Sequence, residues 1–163
     1  MPALSLCTHS DPQETETPQM KAALSWIHAV VETLDMRELE AVITEDFTYE
    51  ILPKSLGHHP RQREEFLLYA DAILFRFVKD FRATIHQVVQ SWDAVVLYAT
   101  CQAISVTGHP YTNEYMLVFS LSQQVDGQFK VRAVKEFLDS KYCAEFFPAE
   151  RRRRRELYLR SRL

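Results

Sequence analysis

The residue best suited to chemistry is an acidic one near the end of the chain. Glu136 lies between apolar neighbours in the run 134–140. An ionised carboxylate is costly to bury unless it is paired, and apolar surroundings raise its pKa. A carboxyl group in such surroundings can accept and return a proton near neutral pH. Glu136 is therefore the candidate acid/base. The alternative is that it faces outward beside Lys135 and Arg132, or makes a structural ion pair.

Two possible partners of Glu136 lie on the preceding predicted strand. Because side chains alternate along a strand, Asn113, Tyr115 and Leu117 share one face and Glu114 points away. If that face lines a pocket, Tyr115 and Asn113 are donors that can hold a carbonyl or enolate oxygen while Glu136 acts on a neighbouring carbon. The alternative is an ordinary β-surface tyrosine and an asparagine that only closes a turn.

Metal and nucleotide sites are not indicated by the sequence. His58 and His59 are adjacent in a predicted loop, where neighbouring side chains point in opposite directions, and His109 lies in another loop. The three glycines, at 57, 108 and 127, are too far apart to form a phosphate-binding loop. We therefore expect no metal and no cofactor.

Helical and strand patterns divide the chain into two parts. Thr17 and Pro18 are suited to begin a helix whose apolar face runs through 20–34, and a short second helix leads into a strand over 46–52. A third helix is predicted to begin at Pro60. Four strand-like runs joined by short turns follow it: 81–90, 94–107, 111–122 and 129–139. Short connections favour antiparallel pairing, so the pattern predicts an α+β layer arrangement.

Residues at the two ends of the chain differ in composition from the rest. Residues 1–17 are rich in Ser, Thr, Pro and acidic residues and are predicted to be a disordered leader. The last segment, 148–163, is a basic tail or helix with seven arginines and two glutamates. Its run Arg151–Arg155 can be a nucleic-acid or import signal, but leucines follow it, so we favour the solvated face of a helix and expect no nucleic acid partner.

The three cysteines, Cys7, Cys101 and Cys143, form no CxxC pair and are predicted to be reduced thiols. No apolar run approaches the ~20 residues needed to cross a bilayer, and the N-terminus has no signal-peptide pattern. These features predict a protein that does not enter membranes and is located in the cytoplasm.

The order of these elements resembles the NTF2-like superfamily, in which a curved, mainly antiparallel sheet wraps around N-terminal helices and leaves a central pocket. The resemblance covers residues 18–147, and its landmarks are the segments 44–50, 113–116 and 136–140. Within the superfamily the chain is most similar to SnoaL-like proteins, particularly fungal ones. The family fold is therefore the expected one for a single domain over 18–147.

Comparison with branches of this superfamily changes what Glu136 can be expected to do. In the SnoaL-like and limonene-epoxide-hydrolase-like branches an inward-facing acid stands where Glu136 aligns. Ketosteroid-isomerase-like members carry a catalytic aspartate where this chain has Ile51. The hydrolase branch also uses an Arg and an Asp on the strand that contains 99–102, where neither is present. These two mechanisms therefore lack their residues here.

Scytalone-dehydratase-like members use pocket histidines and tyrosines. By this resemblance His86, Tyr98 and Tyr49 are counterparts in residue type. A lone strand histidine is more often structural, which is the alternative for His86. The predicted substrate-binding residues are Tyr49, Ile51, His86, Tyr98, Leu117 and Leu138.

Two functions follow from the residues and the resemblance. The first is a cofactor-independent isomerase, cyclase or dehydratase that acts by proton transfer on a small apolar, oxygenated metabolite of polyketide or terpenoid type, with Glu136, Tyr115 and Asn113 as catalytic residues. The second is a non-catalytic ligand-binding or dimerising scaffold, since fold does not fix function. The resemblance also implies a homodimer formed through the outer face of the sheet.

Overall fold

The computed structural model describes residues 5–6, 17–74 and 77–162. Its first helix, α1, spans Pro18–His28, and the Thr17 hydroxyl caps it by accepting a hydrogen bond from the Met20 N–H at 3.1 Å. A wider helical turn, Ala29–Thr33, continues α1. The second helix, α2, spans Met36–Val42 and is capped by Asp35. The helix starts therefore follow the local capping chemistry.

A single sheet carries most of the remaining chain. Its strands are β1 (Ser5–Leu6), β2 (Ile43–Leu52), β3 (Arg61–Gln62), β4 (Val78–Gln90), β5 (Ala94–Ser105), β6 (Pro110–Gln123) and β7 (Phe129–Leu138). Their spatial order is β1-β4-β5-β6-β7-β2-β3. The run from β4 to β7 is an antiparallel meander, as predicted. The early strand β2 lies parallel to the last strand β7, which brings the two ends of the domain together.

The third helix begins later than predicted. Residues Arg61 and Gln62 pair with β2 instead of continuing a helix from Pro60. Helix α3 then spans Arg63–Tyr69, where Gln62 and Glu65 form a capping box, and a wider turn extends it over Ala70–Leu74. The strand interrupts the helical pattern because its backbone groups complete the edge of β2.

The last helix, α4, spans Ser140–Arg160 and is capped by Asp139, whose side chain accepts a hydrogen bond from the Tyr142 N–H at 3.0 Å. It runs without interruption through the predicted boundary between 147 and 148, and it includes Pro148. The arginine run lies in this helix and is largely exposed. Glu150 is buried and binds Thr107 and Arg153, so the helix is anchored to the β5–β6 hairpin.

The predicted leader falls mostly outside the described residues, as does Cys7, and the leader stays a prediction. Within it, Ser5 and Leu6 pair parallel with β4. No helix in the described part of the chain is long and apolar enough to span a membrane.

The core lies between the inner face of the curved sheet and the helices α1 to α3. Trp26, Phe66 and Phe119 form its aromatic centre, with ring centroids 6.1 Å apart for Trp26–Phe66 and 5.5 Å apart for Trp26–Phe119. A smaller cluster around Phe77, Tyr111 and Phe146 fills the end of the sheet covered by α4. The predicted α+β architecture is confirmed. In this architecture, side chains on the inner face of the sheet lie in one common interior, where they can form a site together.

Candidate functional site

Glu136 lies on the inner face of the sheet. Ile51 of β2 and Leu117 of β6 are its direct cross-strand partners, and both are buried. Side chains opposite one another in neighbouring strands point to the same face, so the half-buried Glu136 is flanked by two apolar side chains. This placement supports the inward-facing alternative rather than a surface ion pair.

Among the described residues, the Glu136 carboxylate accepts one hydrogen bond, donated to Oε2 by the Tyr49 hydroxyl. Its Oε1 accepts no hydrogen bond from the described residues. Burial raises the pKa of Glu136 above its ordinary value, and the bond from Tyr49 opposes that rise because it stabilises the charged form. Tyr49 therefore holds Oε2 in place, and Oε1 is available to a bound ligand.

Tyr49 owes its position to aromatic packing. It is only 1% exposed, and its ring lies 4.8 Å from the Phe66 ring and 5.9 Å from the Tyr69 ring, centroid to centroid. Burial raises the pKa of Tyr49 well above its ordinary value, and the nearby charge of Glu136 raises it further. Tyr49 therefore stays protonated and acts as a hydrogen-bond donor to Glu136. The sequence predicted it as a substrate-binding residue, whereas the structure makes it the residue that orients the acid.

Arg61 and Tyr69 form the next part of the inner wall, and neither was predicted from the sequence. Arg61 is the cross-strand partner of Tyr49 and so faces the same interior. Its guanidinium carbon lies 4.1 Å from the centroid of the Tyr69 ring. The Tyr69 hydroxyl makes no hydrogen bond to the described residues, and burial, followed by the charge of Glu136, raises the Tyr69 pKa. A two-residue strand is too short to show alternation, which is why the pattern was missed.

Tyr115 shares this face, as predicted, but it does not contact Glu136 by a hydrogen bond. Its hydroxyl lies 3.0 Å from the Tyr111 hydroxyl and 3.5 Å from the Cys101 Sγ. Burial is the main cause of the raised Tyr115 pKa, and the Glu136 charge is a smaller one. Tyr115 is therefore close enough to respond to the charge of Glu136, and its catalytic role stays a prediction.

Asn113 is a structural residue, which corrects its predicted catalytic role. Its Nδ2 donates to the Tyr111 hydroxyl and to the Cys143 Sγ, each at 3.0 Å. Its Oδ1 accepts from the Glu114 N–H at 2.8 Å and from the Asp139 N–H at 3.0 Å. Both amide hydrogens are used, so none remains for an enolate oxygen. Asn113 joins β6 to the start of α4.

His86 and Tyr98 lie on the outer face of the sheet, which contradicts their predicted place in the pocket. The His86 Nε2 lies 2.8 Å from the Thr100 hydroxyl, and the Tyr98 hydroxyl donates to Glu114 Oε1 at 2.5 Å. Tyr98 alternates with the buried Leu97 and must point away from the core. His86 alternates with the buried Ile85 and likewise points away from the core.

The remaining predicted pocket residues face the interior. Leu138 is the cross-strand partner of Tyr115, and like Ile51 and Leu117 it is buried. A depression of about 180 Å³ lies elsewhere, between the start of α1 and the loop before β7. Among the described residues no group of three or more His, Cys, Asp or Glu side chains is arranged to hold a metal ion.

Comparison with known proteins identifies the family of this chain. The SnoaL-like domain family matches residues 24–132, about two thirds of the sequence. The chain belongs to the SnoaL-like family. The predicted resemblance is thereby confirmed. The family match ends before Glu136, so the role of that residue depends on the geometry described above.

Curated relatives of this SnoaL-like protein are fungal. It is 33% identical over 116 residues to "Monooxygenase ptaG" of Pestalotiopsis fici, and the aligned region covers 69% of this chain and 76% of the relative. It is 30% identical over 115 residues to a protein named "Monooxygenase" from Claviceps purpurea, covering 69% of this chain and 70% of the relative. Both relatives thus carry enzyme names.

Two solved structures of similar fold come from fungi. The BvnE pinacolase from Penicillium brevicompactum matches with a TM-score of 0.67 and 25% identity, covering 86% of this chain and 96% of that protein. AusH from Aspergillus nidulans matches with a TM-score of 0.66 and 21% identity, covering 77% and 86%. The AusH match supports the fold alone.

Proposed function

We propose that this SnoaL-like protein is a cofactor-independent enzyme that transfers protons on a small, apolar, oxygenated metabolite. The observation that carries the proposal is the state of Glu136. Its carboxylate lies between Ile51 and Leu117, one oxygen is held by Tyr49, and the other has no partner in the described part of the chain. An acid with a raised pKa in such a place is suited to proton transfer near neutral pH.

The proposed mechanism begins with Glu136 as a base. Its Oε1 removes a proton from a carbon next to a carbonyl group, and the electron pair of that C–H bond moves onto the carbonyl oxygen to give an enolate. The hydroxyl of Tyr69, which has no partner among the described residues, is one donor available to the enolate oxygen, and Tyr115 is a second on the same face. Tyr49 holds the protonated or ionised acid in one orientation throughout.

The fate of the enolate then decides the reaction. Return of the proton from Glu136 to a different carbon gives an isomer. Attack of the enolate carbon on a second carbonyl closes a ring, and Glu136 protonates the new alkoxide. Loss of a β-hydroxyl group, protonated by Glu136, gives an alkene and water. All three outcomes use one proton carrier and no redox cofactor.

The name of two relatives favours a second reaction for the same base. Two proteins that are 33% and 30% identical to this chain carry the name monooxygenase. An enolate or phenolate made by Glu136 can react with dioxygen without a cofactor. A CH₂ group then becomes a carbonyl group: one oxygen atom of O₂ enters the product and the other leaves as water with the two hydrogens. This reaction shares its first step with the proposed proton transfer.

The test compares two glutamates that each accept a hydrogen bond from a tyrosine. Wild type, Glu136→Gln and Glu114→Gln are incubated in D₂O with a panel of aromatic polyketide and terpenoid ketones, and products and deuterium incorporation are measured by mass spectrometry. We expect Glu136→Gln to lose about 10²- to 10⁴-fold in rate, because a general base is removed. Glu114→Gln should keep the wild-type rate, since Glu114 lies on the outer face.

Each other outcome has a definite meaning. Equal turnover by wild type and Glu136→Gln excludes Glu136 as the base. Saturable binding without turnover or deuterium incorporation by wild type favours the ligand-binding scaffold. Consumption of dioxygen in step with product, measured with an oxygen electrode, selects the oxygenation reaction.

We also propose that the protein is a homodimer formed through the outer face of the sheet. Exposed apolar side chains on that face support it, since Val89, Met116 and Phe137 are 57%, 43% and 50% exposed. Sedimentation equilibrium at several protein concentrations tests this proposal, and a single monomeric species contradicts it. The cytoplasmic location stays a prediction.

A further inference from the structure

The guanidinium group of Arg61 has no anionic partner in the described part of the chain. It makes no ion pair and no side-chain hydrogen bond, and its Nη1 is fully enclosed without an acceptor. The neighbouring Arg63 also has an enclosed nitrogen, Nε, without a hydrogen-bond acceptor, but it has carboxylates nearby: its Nη2 lies 4.0 Å from Glu40 Oε2 and its Nε 3.9 Å from Glu45 Oε2. A half-buried cation that lacks a partner is costly, so Arg61 is the unusual one of the two.

Packing fixes the orientation of the Arg61 side chain. One face of the guanidinium lies on the Tyr69 ring, with 4.1 Å between its central carbon and the ring centroid. A stacked guanidinium keeps its N–H groups free at the edge of the plane, where they match two oxygens of a carboxylate or one oxygen of a phenolate. The group is therefore held in place by an aromatic ring and not by an acid.

The position of Arg61 relative to Glu136 is set by Tyr49. Arg61 lies opposite Tyr49 across the β2–β3 pair, and Tyr49 donates its hydroxyl hydrogen to Glu136. The charges of Arg61 and Glu136 act in opposite directions on the same two phenols: Arg61 lowers the pKa of Tyr49 and Tyr69, and Glu136 raises both. A positive group and a proton acceptor thus lie on either side of one tyrosine.

We propose that Arg61 binds an anionic oxygen of the substrate, carried on an aromatic or other conjugated ring, and thereby places the neighbouring carbon of the same molecule at Glu136. The substrate class is an apolar ring system with a carboxylate or an acidic phenol. Arg61 is the specificity-determining residue of the site, and this role rests on the proposed function of Glu136.

The test measures the binding of matched charged and neutral probes by titration calorimetry. One pair is naphthoate and naphthamide, and the other is dinitronaphthol, which is ionised at neutral pH, and its methyl ether. We expect wild type to bind the charged member of at least one pair about tenfold more tightly, the effect of a hydrogen bond to a charged group. The pair that shows the preference distinguishes a carboxylate from a phenolate.

Three variants assign the preference to its residue. Arg61→Gln should bind charged and neutral probes equally, and Arg61→Lys should keep part of the preference, because it keeps the charge but not the planar group. Arg63→Gln removes the same charge from an arginine that is already paired, and it should keep the full preference. Thermal melting curves show that each variant is folded.

The inference is overturned if wild type binds neither charged probe, if it does not prefer them, or if Arg61→Gln keeps the preference. The Glu136→Gln variant separates this result from the proposed function. It should keep the charged-probe preference while losing turnover. If Glu136→Gln keeps turnover while Arg61→Gln loses the charged-probe preference, only the proposed role of Glu136 is contradicted.

Discussion

Two tyrosine–glutamate hydrogen bonds lie on opposite faces of the same sheet. On the inner face Tyr49 donates to Glu136, and on the outer face Tyr98 donates to Glu114 at 2.5 Å. Burial is the main cause of the raised pKa of Tyr49, whereas the hydrogen bond itself is the main cause for Tyr98. The same two functional groups therefore have different properties because of their surroundings.

A pair of residue types therefore does not define a site by itself. Solvent and salt screen the outer pair, which leaves its carboxylate stabilised mostly by water. The inner pair is flanked by Ile51, Leu117 and the Phe66 ring, so the protein itself must stabilise or neutralise the charge of Glu136.

The largest effect on stability is expected from phenylalanine truncation on the two faces. Phe66 is fully buried against Tyr49 and Trp26, while Phe137 is 50% exposed on the outer face. Phe66→Ala should lower the free energy of unfolding by about 3–5 kcal/mol, and Phe137→Ala by less than about 1 kcal/mol. Urea denaturation of both variants measures the difference. Equal losses would show that the inner face is not the core of the domain.

A smaller effect is expected from removing each tyrosine hydroxyl. Tyr49→Phe deletes the hydrogen bond that stabilises the ionised form of Glu136, so the pKa of Glu136 should rise further. The acidic limb of the rate–pH profile should then move to higher pH, with about a tenfold loss of rate on that limb.

Tyr98→Phe is the matched control, because it removes the same group from the outer face. Its rate–pH profile should superimpose on that of wild type. A shift of equal size in both variants would mean that the profile reports overall stability and not the site.

The smallest effect is expected in the pH dependence of stability. The folded-state pKa of Glu136 lies above its ordinary value of 4.5, so the folded state holds this proton more tightly than the unfolded state does. Stability from this group is fully present below pH 4.5 and is lost as the pH rises through the folded-state pKa. Glu136→Gln should therefore gain stability relative to wild type as the pH rises over that window.

Denaturation midpoints of wild type and Glu136→Gln are compared at fixed salt from about pH 4 to about pH 8. Carboxyl and imidazole groups titrate in this range. Glu114→Gln, which removes the same group from the outer face, is the control. A wild-type profile that runs parallel to that of Glu136→Gln would contradict the raised pKa.

Much of the fold was predictable because it depends on local patterns. The meander from β4 to β7 follows from alternating apolar residues and short turns, and α1 follows from Thr17 and Pro18 at its start. The face of Glu136 was predictable only as one of two alternatives. Its orientation depends on β2, a strand from the other end of the domain, and no local pattern specifies that pairing.

The parts of the site that could not be predicted depend on contacts between distant elements. Arg61 enters the interior because two residues pair with β2 before α3 begins. Asn113 loses its predicted role because Cys143 and Asp139, which come after β7, occupy its amide group. His86 was placed in the pocket by a resemblance in residue type, whereas it alternates with the buried Ile85 and points away from the core. The errors on Arg61 and Asn113 concern tertiary pairing and not residue chemistry.

The parallel pairing of β2 with β7 also has a consequence for the order of assembly. Tyr49 and Glu136 are 87 positions apart, so their hydrogen bond closes a loop that contains the whole meander. The entropy of closing so long a loop must be offset before this contact contributes anything, and such long-range pairings slow folding. During synthesis, Tyr49 cannot contact Glu136 until most of the domain has left the ribosome. A nascent chain that ends before β7 therefore lacks the Tyr49–Glu136 contact, and the candidate site forms only when the last strand is in place.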